Sequence, residues 1–233
     1  MSRLGLVSVF GILVACEPLA SPEYLGEPLA EIKGVIASWS SPPRESAELV
    51  VLYIDYGPAR ATVVGERVRV TESFPAGFTI PLMVPPRSDA LNEVPGESDE
   101  RIGIAWFVVL RSGAGVPGPF LTHDDVKSLH QGDVLGWAED FILTYVDGKV
   151  ESGTTAAEIL GGPKDPGFHL MAVTGKAAGD PSCTLVCDSS PMREVDLGST
   201  QVVVSLSSDP QTLRIPAFRL PARVEGAFGI PPG

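Results

Sequence analysis

The sequence predicts a mainly β protein, an antiparallel β-sandwich with one or two short connecting helices. Three observations support this prediction. Hydrophobic residues make up 44% of the 233-residue chain, as is typical of a globular protein. The 25 glycines and 22 prolines interrupt the chain too often for long helices. Between these interruptions, short segments rich in Val, Ile and aromatic residues recur, and such segments are typical of strands.

Eight segments have the composition of strands. They are Leu49–Tyr56, Thr62–Val70, Phe78–Val84, Ile102–Arg111, Phe141–Val146, Phe168–Thr174, Gln201–Leu206 and Leu213–Leu220. In the second of these, valines alternate with Arg67 and Arg69, which predicts one solvent-facing side. The stretch Ile102–Leu110 is apolar at both parities, so we expect it inside a sheet. Long helices do not alternate with these segments, which favours antiparallel sheets over a parallel α/β sheet.

Helical periodicity is confined to two short segments, His123–Gln131 and Thr154–Leu160. The second opens with two threonines, carries Glu158 in a position that fits a capping box, and ends at Gly161-Gly162. Both segments are predicted to connect strands.

The N-terminus has the pattern of an export signal. Arg3 precedes an apolar run, Leu4–Val14, which is followed by the small residue Ala15 and then Cys16. Eleven helical residues span about 16 Å, roughly half of the hydrocarbon core of a bilayer, so this run is too short for a stable membrane span. Residues 1–15 are therefore predicted to be a signal peptide.

The segment Leu13-Val14-Ala15-Cys16 resembles the lipobox of bacterial lipoproteins. The resemblance covers about sixteen residues, and it implies cleavage before Cys16 and a diacylglycerol group on its sulfur. Glu17, in place of Asp, favours the outer over the inner membrane of the bacterial envelope. Two alternatives remain, a cleaved secretory signal with an incidental Cys16 and an uncleaved anchor.

The mature chain is predicted to consist of a tether and one domain. Residues 16–31 contain several prolines and acids without a sustained period, which is typical of a flexible lipid-anchored tether. Residues 32–233 are assigned to the β-sandwich domain. Residues 85–100, rich in proline and acidic residues, are predicted to be a long loop, with a linker between two smaller domains as the alternative.

The negative net charge of the chain argues against nucleic acids and anionic lipid headgroups as partners. Asp and Glu number 29 against 17 Lys and Arg, for a net charge of −12. Nucleic-acid binding relies on cations that displace counterions from phosphates, so we expect no nucleic-acid partner. Attachment to a membrane would have to come from the lipid on Cys16 and not from attraction to anionic headgroups.

The two remaining cysteines, Cys183 and Cys187, lie four residues apart among turn-forming residues. A pair of cysteines in an exported chain is typical of a disulfide. Free thiols and a redox or metal role are the alternatives, although the spacing differs from the C-x-x-C pattern of redox motifs.

No constellation in the sequence specifies a chemical reaction. His123 and His130 are about 10.5 Å apart along a helix, too far to share one metal ion, and His169 lies in a predicted strand. We therefore expect neither catalytic residues, nor a metal site, nor a cofactor. The predicted function is a lipid-anchored, non-catalytic binding, adaptor or structural module that contacts envelope proteins. The alternative is an exported hydrolase or metal-dependent enzyme in which folding brings His123, Asp124 and His169 together.

Overall fold

A computed structural model of the chain describes eight ranges: residues 26–37, 47–54, 62–70, 73–94, 100–112, 120–121, 132–173 and 192–207. The strands in them are β1 (Ala30–Ala37), β2 (Ala47–Ile54), β3 (Thr62–Val70), β4 (Ala76–Leu82), β5 (Asn92–Glu93), β6 (Arg101–Arg111), β7 (Phe120–Leu121), β8 (Val134–Trp137), β9 (Phe141–Val146), β10 (Gly167–Val173), β11 (Met192–Val195) and β12 (Gln201–Leu206). A short helix, α1 (Thr155–Ile159), and a 3-10 turn at Ser88–Ala90 complete the described elements. The prediction of a mainly β fold is confirmed.

Strand β6 is the centre of the architecture. Strand β2 pairs antiparallel along one of its edges, and β5 continues that edge. The other edge is shared, because β9 pairs with Ile102–Ala105 and β8 pairs with Val108–Leu110. Residues Ile102–Leu110 are all buried, as their apolar character at both parities predicted.

The sheet therefore divides at β6 into two arms. One arm runs β6-β9-β10-β11, and the other runs β6-β8-β12-β1-β4. Strand β3 lies on the far side of β2. Strands from before and after residues 85–100 thus share one sheet, since β2 pairs with β6 and β1 pairs with β12.

Two features of the predicted sandwich differ in the structure. The described strands form a single branched sheet, so two separate sheets are not established. The expectation of purely antiparallel pairing is wrong at one place, because β1 and β12 pair in parallel, with Val35 opposite Val203. Parallel neighbours need a long connection, and nearly the whole domain lies between these two strands.

Two apolar clusters stabilise the sheet. The larger one takes buried side chains from both arms and from β2; among them are Ile32, Ile36, Leu49, Phe107, Leu143 and Val204. The smaller one lies on the opposite face of β6, β9 and β10, where Ile104, Ile142 and Met171 pack against Ile159 and Leu160 at the end of α1. Strands β6, β9 and β10 therefore bury side chains on both faces of the sheet.

Helix α1 covers this second face, and its ends follow from the local sequence. Thr154 is the N-cap, and its hydroxyl accepts a hydrogen bond from the backbone N–H of Ala157 at 3.1 Å. This differs from a capping box at Glu158, because the cap is one residue too early for Glu158 to occupy the third helical position. Gly161, with φ of 67°, ends the helix as predicted. The predicted helix His123–Gln131 and the predicted strand Leu213–Leu220 lie outside the described residues.

Candidate functional site

A groove of about 500 Å³ lies where β1 begins. Its walls come from three parts of the chain: the start of β1, the first half of β10, and the turn after β11. The lining residues are Glu27, Pro28, Leu29, Ala30, Glu31, Lys33, Phe168, Leu197 and Gly198. The groove is thus formed between outer strands of the two arms, β1 on one side and β10 with the turn after β11 on the other.

Phe168 provides the aromatic wall. It lies opposite Tyr145 in the β9–β10 ladder, and the two rings meet edge to face with centroids 4.9 Å apart. Burial, followed by the nearby charge of Asp147, raises the pKa of Tyr145. The phenol beside Phe168 therefore stays neutral, and this wall carries no charge.

Leu197 is held in the groove by a tight turn. The Asp196 carboxylate accepts a hydrogen bond from the Ser199 N–H at 2.8 Å, and the Thr200 N–H donates to the Asp196 carbonyl at 3.0 Å. The Ser199 N–H lowers the pKa of Asp196. Leu197 packs against the larger apolar cluster, so its position is set by both the turn and the core.

The rim of the groove is polar. Lys33 Nζ lies 3.6 Å from Glu31 Oε2, and both side chains are about half exposed. Glu27 is exposed beside them. Apolar walls below a polar rim with a net charge of −1 suit non-covalent contact with an apolar group, and the lining residues include no serine, cysteine or histidine.

A second polar cluster lies on the first arm, where β10 meets β11. The Glu194 carboxylate contacts His169 Nδ1 at 2.7 Å and Lys164 Nζ at 3.5 Å. The other ring nitrogen, Nε2, lies 2.8 Å from the carbonyl oxygen of Asp165. Lys164 is buried, with 7% of its side chain exposed, and Nζ also donates to the Pro163 carbonyl.

This cluster has the properties of a structural network. Partial burial works against ionisation of Glu194, but the hydrogen bond and charge of His169, together with Lys164, hold its pKa below the ordinary value. Both nitrogens of His169 face oxygen acceptors, so neither has a lone pair directed at open space. His169 is thus held in place as a hydrogen-bonded strand residue.

The structure does not describe the other candidate site residues that the sequence suggests. Cys16, Cys183, Cys187, His123, Asp124 and His130 all lie outside the described residues, so lipid attachment, the disulfide and the hydrolase constellation stay predictions. Within the described ranges, no three His, Cys, Asp or Glu side chains are grouped so that they could hold a metal ion. No helix in the same ranges is long and apolar enough to cross a membrane.

Sequence reasoning missed the groove. The predicted tether, residues 16–31, includes Ala30 and Glu31, and this boundary is wrong because both residues belong to β1. A signal for this strand is present in the sequence: Ile32 and Ile36 lie on one face of an extended chain, and Lys33 lies on the other. Nothing local indicated that Leu29, Phe168 and Leu197 would meet.

No protein-family model, curated protein or solved structure matches this chain.

Proposed function

We propose that this protein is a lipoprotein of the bacterial envelope, anchored through lipid on Cys16, whose β domain serves as a non-catalytic binding, adaptor or structural module. The outer membrane is the proposed location, and envelope proteins are the proposed partners. The proposal includes a branched sheet folded into two facing, sandwich-like layers. The larger apolar cluster supports this layering, because it joins side chains from both arms.

The observation that carries the anchoring proposal is the position of β1. This strand begins only fourteen residues after Cys16. It is hydrogen-bonded on both sides, in parallel to β12 and antiparallel to β4. Ile32 and Ile36 are fully buried in the larger cluster. A lipid on Cys16 would therefore be connected to an inner strand of the sheet, which supports an anchor joined firmly to the domain.

The groove at the start of β1 favours binding as the role of the domain. Its walls include Leu29, Phe168 and Leu197, its rim is polar, and it lies next to the predicted tether. The alternative hydrolase requires an imidazole with one ring nitrogen open to the nucleophile or the substrate. His169 is engaged by Glu194 and by the Asp165 carbonyl, so that alternative rests on His123 and Asp124.

Metabolic labelling with a fatty acid tests the anchor. The wild-type chain should incorporate the label and fractionate with membranes, because the thioether on Cys16 carries the diacylglycerol. The Cys16→Ser variant should incorporate none. The Cys183→Ser/Cys187→Ser variant is the matched control and should be labelled like the wild type. Label on the Cys16→Ser protein would refute the proposal.

A second experiment separates the module from the hydrolase. The purified protein is assayed against chromogenic ester, amide and phosphate substrates, together with the His123→Ala and Asp124→Ala variants. The module predicts no turnover above the buffer rate for any of the three proteins. Turnover that both substitutions abolish would establish the hydrolase instead.

A further inference from the structure

Two of the three large hydrophobic side chains that are exposed in the described residues lie at the same end of the domain. Three large hydrophobic residues are exposed in those ranges: Leu29 and Val84, each 59% exposed, and Val203, 42% exposed. The first two lie at one end of the β1–β4 ladder, where the Leu29 N–H donates to the Leu82 carbonyl at 2.8 Å. We call Leu29 and Val84 the apolar end of the domain.

The apolar end adjoins the groove. Leu29 forms part of the groove wall together with Pro28, Phe168 and Leu197. Exposed apolar surface at this end is therefore continuous with the apolar interior of the groove.

The length of the preceding chain restricts what this end faces. Twelve residues lie between Cys16 and Leu29. Thirteen steps of extended chain span at most about 45 Å, and a flexible chain of that length has an r.m.s. extension of about 20 Å. If Cys16 carries lipid, the apolar end is thus the part of the described domain tied most closely to the bilayer.

Local charge permits contact with lipid. Glu31 is paired with Lys33, and Arg87 is paired with Asp89 three to five residues after Val84. Exposed Glu27 adds one negative charge here, so these five side chains near Leu29 and Val84 have a net charge of only −1. A bilayer surface would therefore meet the domain where electrostatic repulsion is weak.

We propose that the apolar end rests on the bilayer that holds Cys16, with Leu29 and Val84 in the interfacial region, and so sets the orientation of the domain on the membrane. This inference rests on the proposed lipid anchor. Two apolar side chains would not hold a soluble protein on a membrane. They suffice here because a short tether keeps the domain at a local concentration in the millimolar range.

Site-specific photocrosslinking tests the proposal. The photoreactive residue p-benzoylphenylalanine replaces Leu29, Val84 or, as the matched control, Val203 in the full-length lipidated chain. Val203 lies opposite Val35, six residues along β1 from Leu29, or about 20 Å away. Each protein is reconstituted into vesicles of phosphatidylcholine that contain a radiolabelled acyl chain, and then irradiated. Thermal melts check that each substituted protein is folded.

We expect lipid adducts several-fold more abundant at positions 29 and 84 than at position 203. Equal adducts at all three positions, or none at 29 and 84, would overturn the proposal. A protein adduct or a crosslinked dimer at position 29 in place of lipid would also overturn it, and would identify the groove as a protein-binding surface.

Metabolic labelling of the same proteins with a fatty acid, as in the test of the anchor, distinguishes failure of the membrane contact from failure of the anchor. Labelled protein without lipid adducts refutes the membrane contact and leaves the anchor intact. Protein without any label refutes the anchor and the contact together.

Discussion

The ring of Phe78 on β4 lies over the α-carbon of Gly34, its partner across the antiparallel ladder on β1. A side chain at position 34 would meet the Phe78 ring and also the backbone carbonyl of Val202 on β12. The ring could move, but the carbonyl belongs to the parallel β1–β12 ladder. Gly34 thus lets one aromatic side chain pack across the two outermost strands of this arm.

Gly34→Ala should destabilise the protein by about 1–3 kcal/mol, the usual cost of overpacking a core. Gly77→Ala is the matched control, because Gly77 is on the neighbouring strand and a methyl group there would meet nothing within 4 Å. That control should be neutral or more stable by up to about 1 kcal/mol, since alanine restricts the unfolded chain. Denaturant unfolding measures both, and equal stability of the two variants would contradict the packing argument.

Glu66 on β3 should destabilise the protein at neutral pH. Its Oε2 is buried without a hydrogen-bond partner, and burial raises the pKa of this carboxyl. Burial, followed by the charge of Glu66, also raises the pKa of the buried Tyr53. A glutamine at position 66 would remove the charge and keep the shape, with an expected gain on the order of 1 kcal/mol after allowance for partial exposure.

The sign of the pH dependence follows from the raised pKa of Glu66. The protonated carboxyl is favoured in the folded state, so its contribution is complete below the ordinary glutamate pKa and is lost as pH rises. The melting temperature of Glu66→Gln should therefore exceed that of the wild type at about pH 7, and the difference should disappear near about pH 4. Glu93→Gln, at an exposed residue of β5, should differ little from the wild type at either pH. A gain that does not change with pH would contradict this account.

Glu194→Gln should destabilise the protein by about 1 kcal/mol at neutral pH, because it removes the charge that compensates buried Lys164 and contacts His169. The estimate is at the low end for a buried pair because Glu194 is 46% exposed. The lowered pKa of Glu194 means that its contribution is present above the ordinary glutamate value and is lost as pH falls through the lowered one.

The difference in stability between the wild type and Glu194→Gln should therefore decrease in acid. Thermal melts over a pH series would measure this decrease. Glu151→Gln is the control, because Glu151 pairs with Lys149 at 2.8 Å while both side chains are more than half exposed. Its effect should stay within about 0.5 kcal/mol. An equal loss of stability in both variants would mean that the burial of Lys164 does not strengthen its ion pair with Glu194.

Reduction of the predicted Cys183–Cys187 disulfide should have only a modest effect. A loop this short contributes roughly 2 kcal/mol by the chain-entropy estimate. For a domain of about 200 residues, this corresponds to a melting temperature lower by no more than about 4–8 °C. Melts with and without reductant, together with the Cys183→Ser/Cys187→Ser variant, measure the effect. Global unfolding on reduction, or two thiols that react before reductant is added, would refute the prediction.

The local pattern of apolar and polar residues was sufficient to predict the bounds or the buried faces of several strands. β3, β9 and β12 have the predicted bounds, and β6 is buried along Ile102–Leu110 as its composition indicated. Arg67 and Arg69 are exposed and alternate with half-buried valines. Each of these results depends on residues within one strand, because the alternation of side chains reports which faces are buried.

Other strands were missed because their own sequences are weak signals. β8 contains Gly136, where a side chain would collide with the backbone of Ser205 on β12. The short β11 has Arg193 and Glu194 exposed, and it pairs only with β10 among the described strands. Glycine and charged residues are poor strand formers, so neighbouring strands decide these two segments.

The sequence by itself determined the mainly β class, the faces of the strongest strands and the glycine at which α1 ends. Only the tertiary structure decided the branching at β6, the parallel pairing of β1 with β12, and the groove between Leu29, Phe168 and Leu197. The physical reason is that periodicity reports burial within one segment. The choice of a distant neighbour depends on how the faces of many segments pack together, and no single segment carries that information.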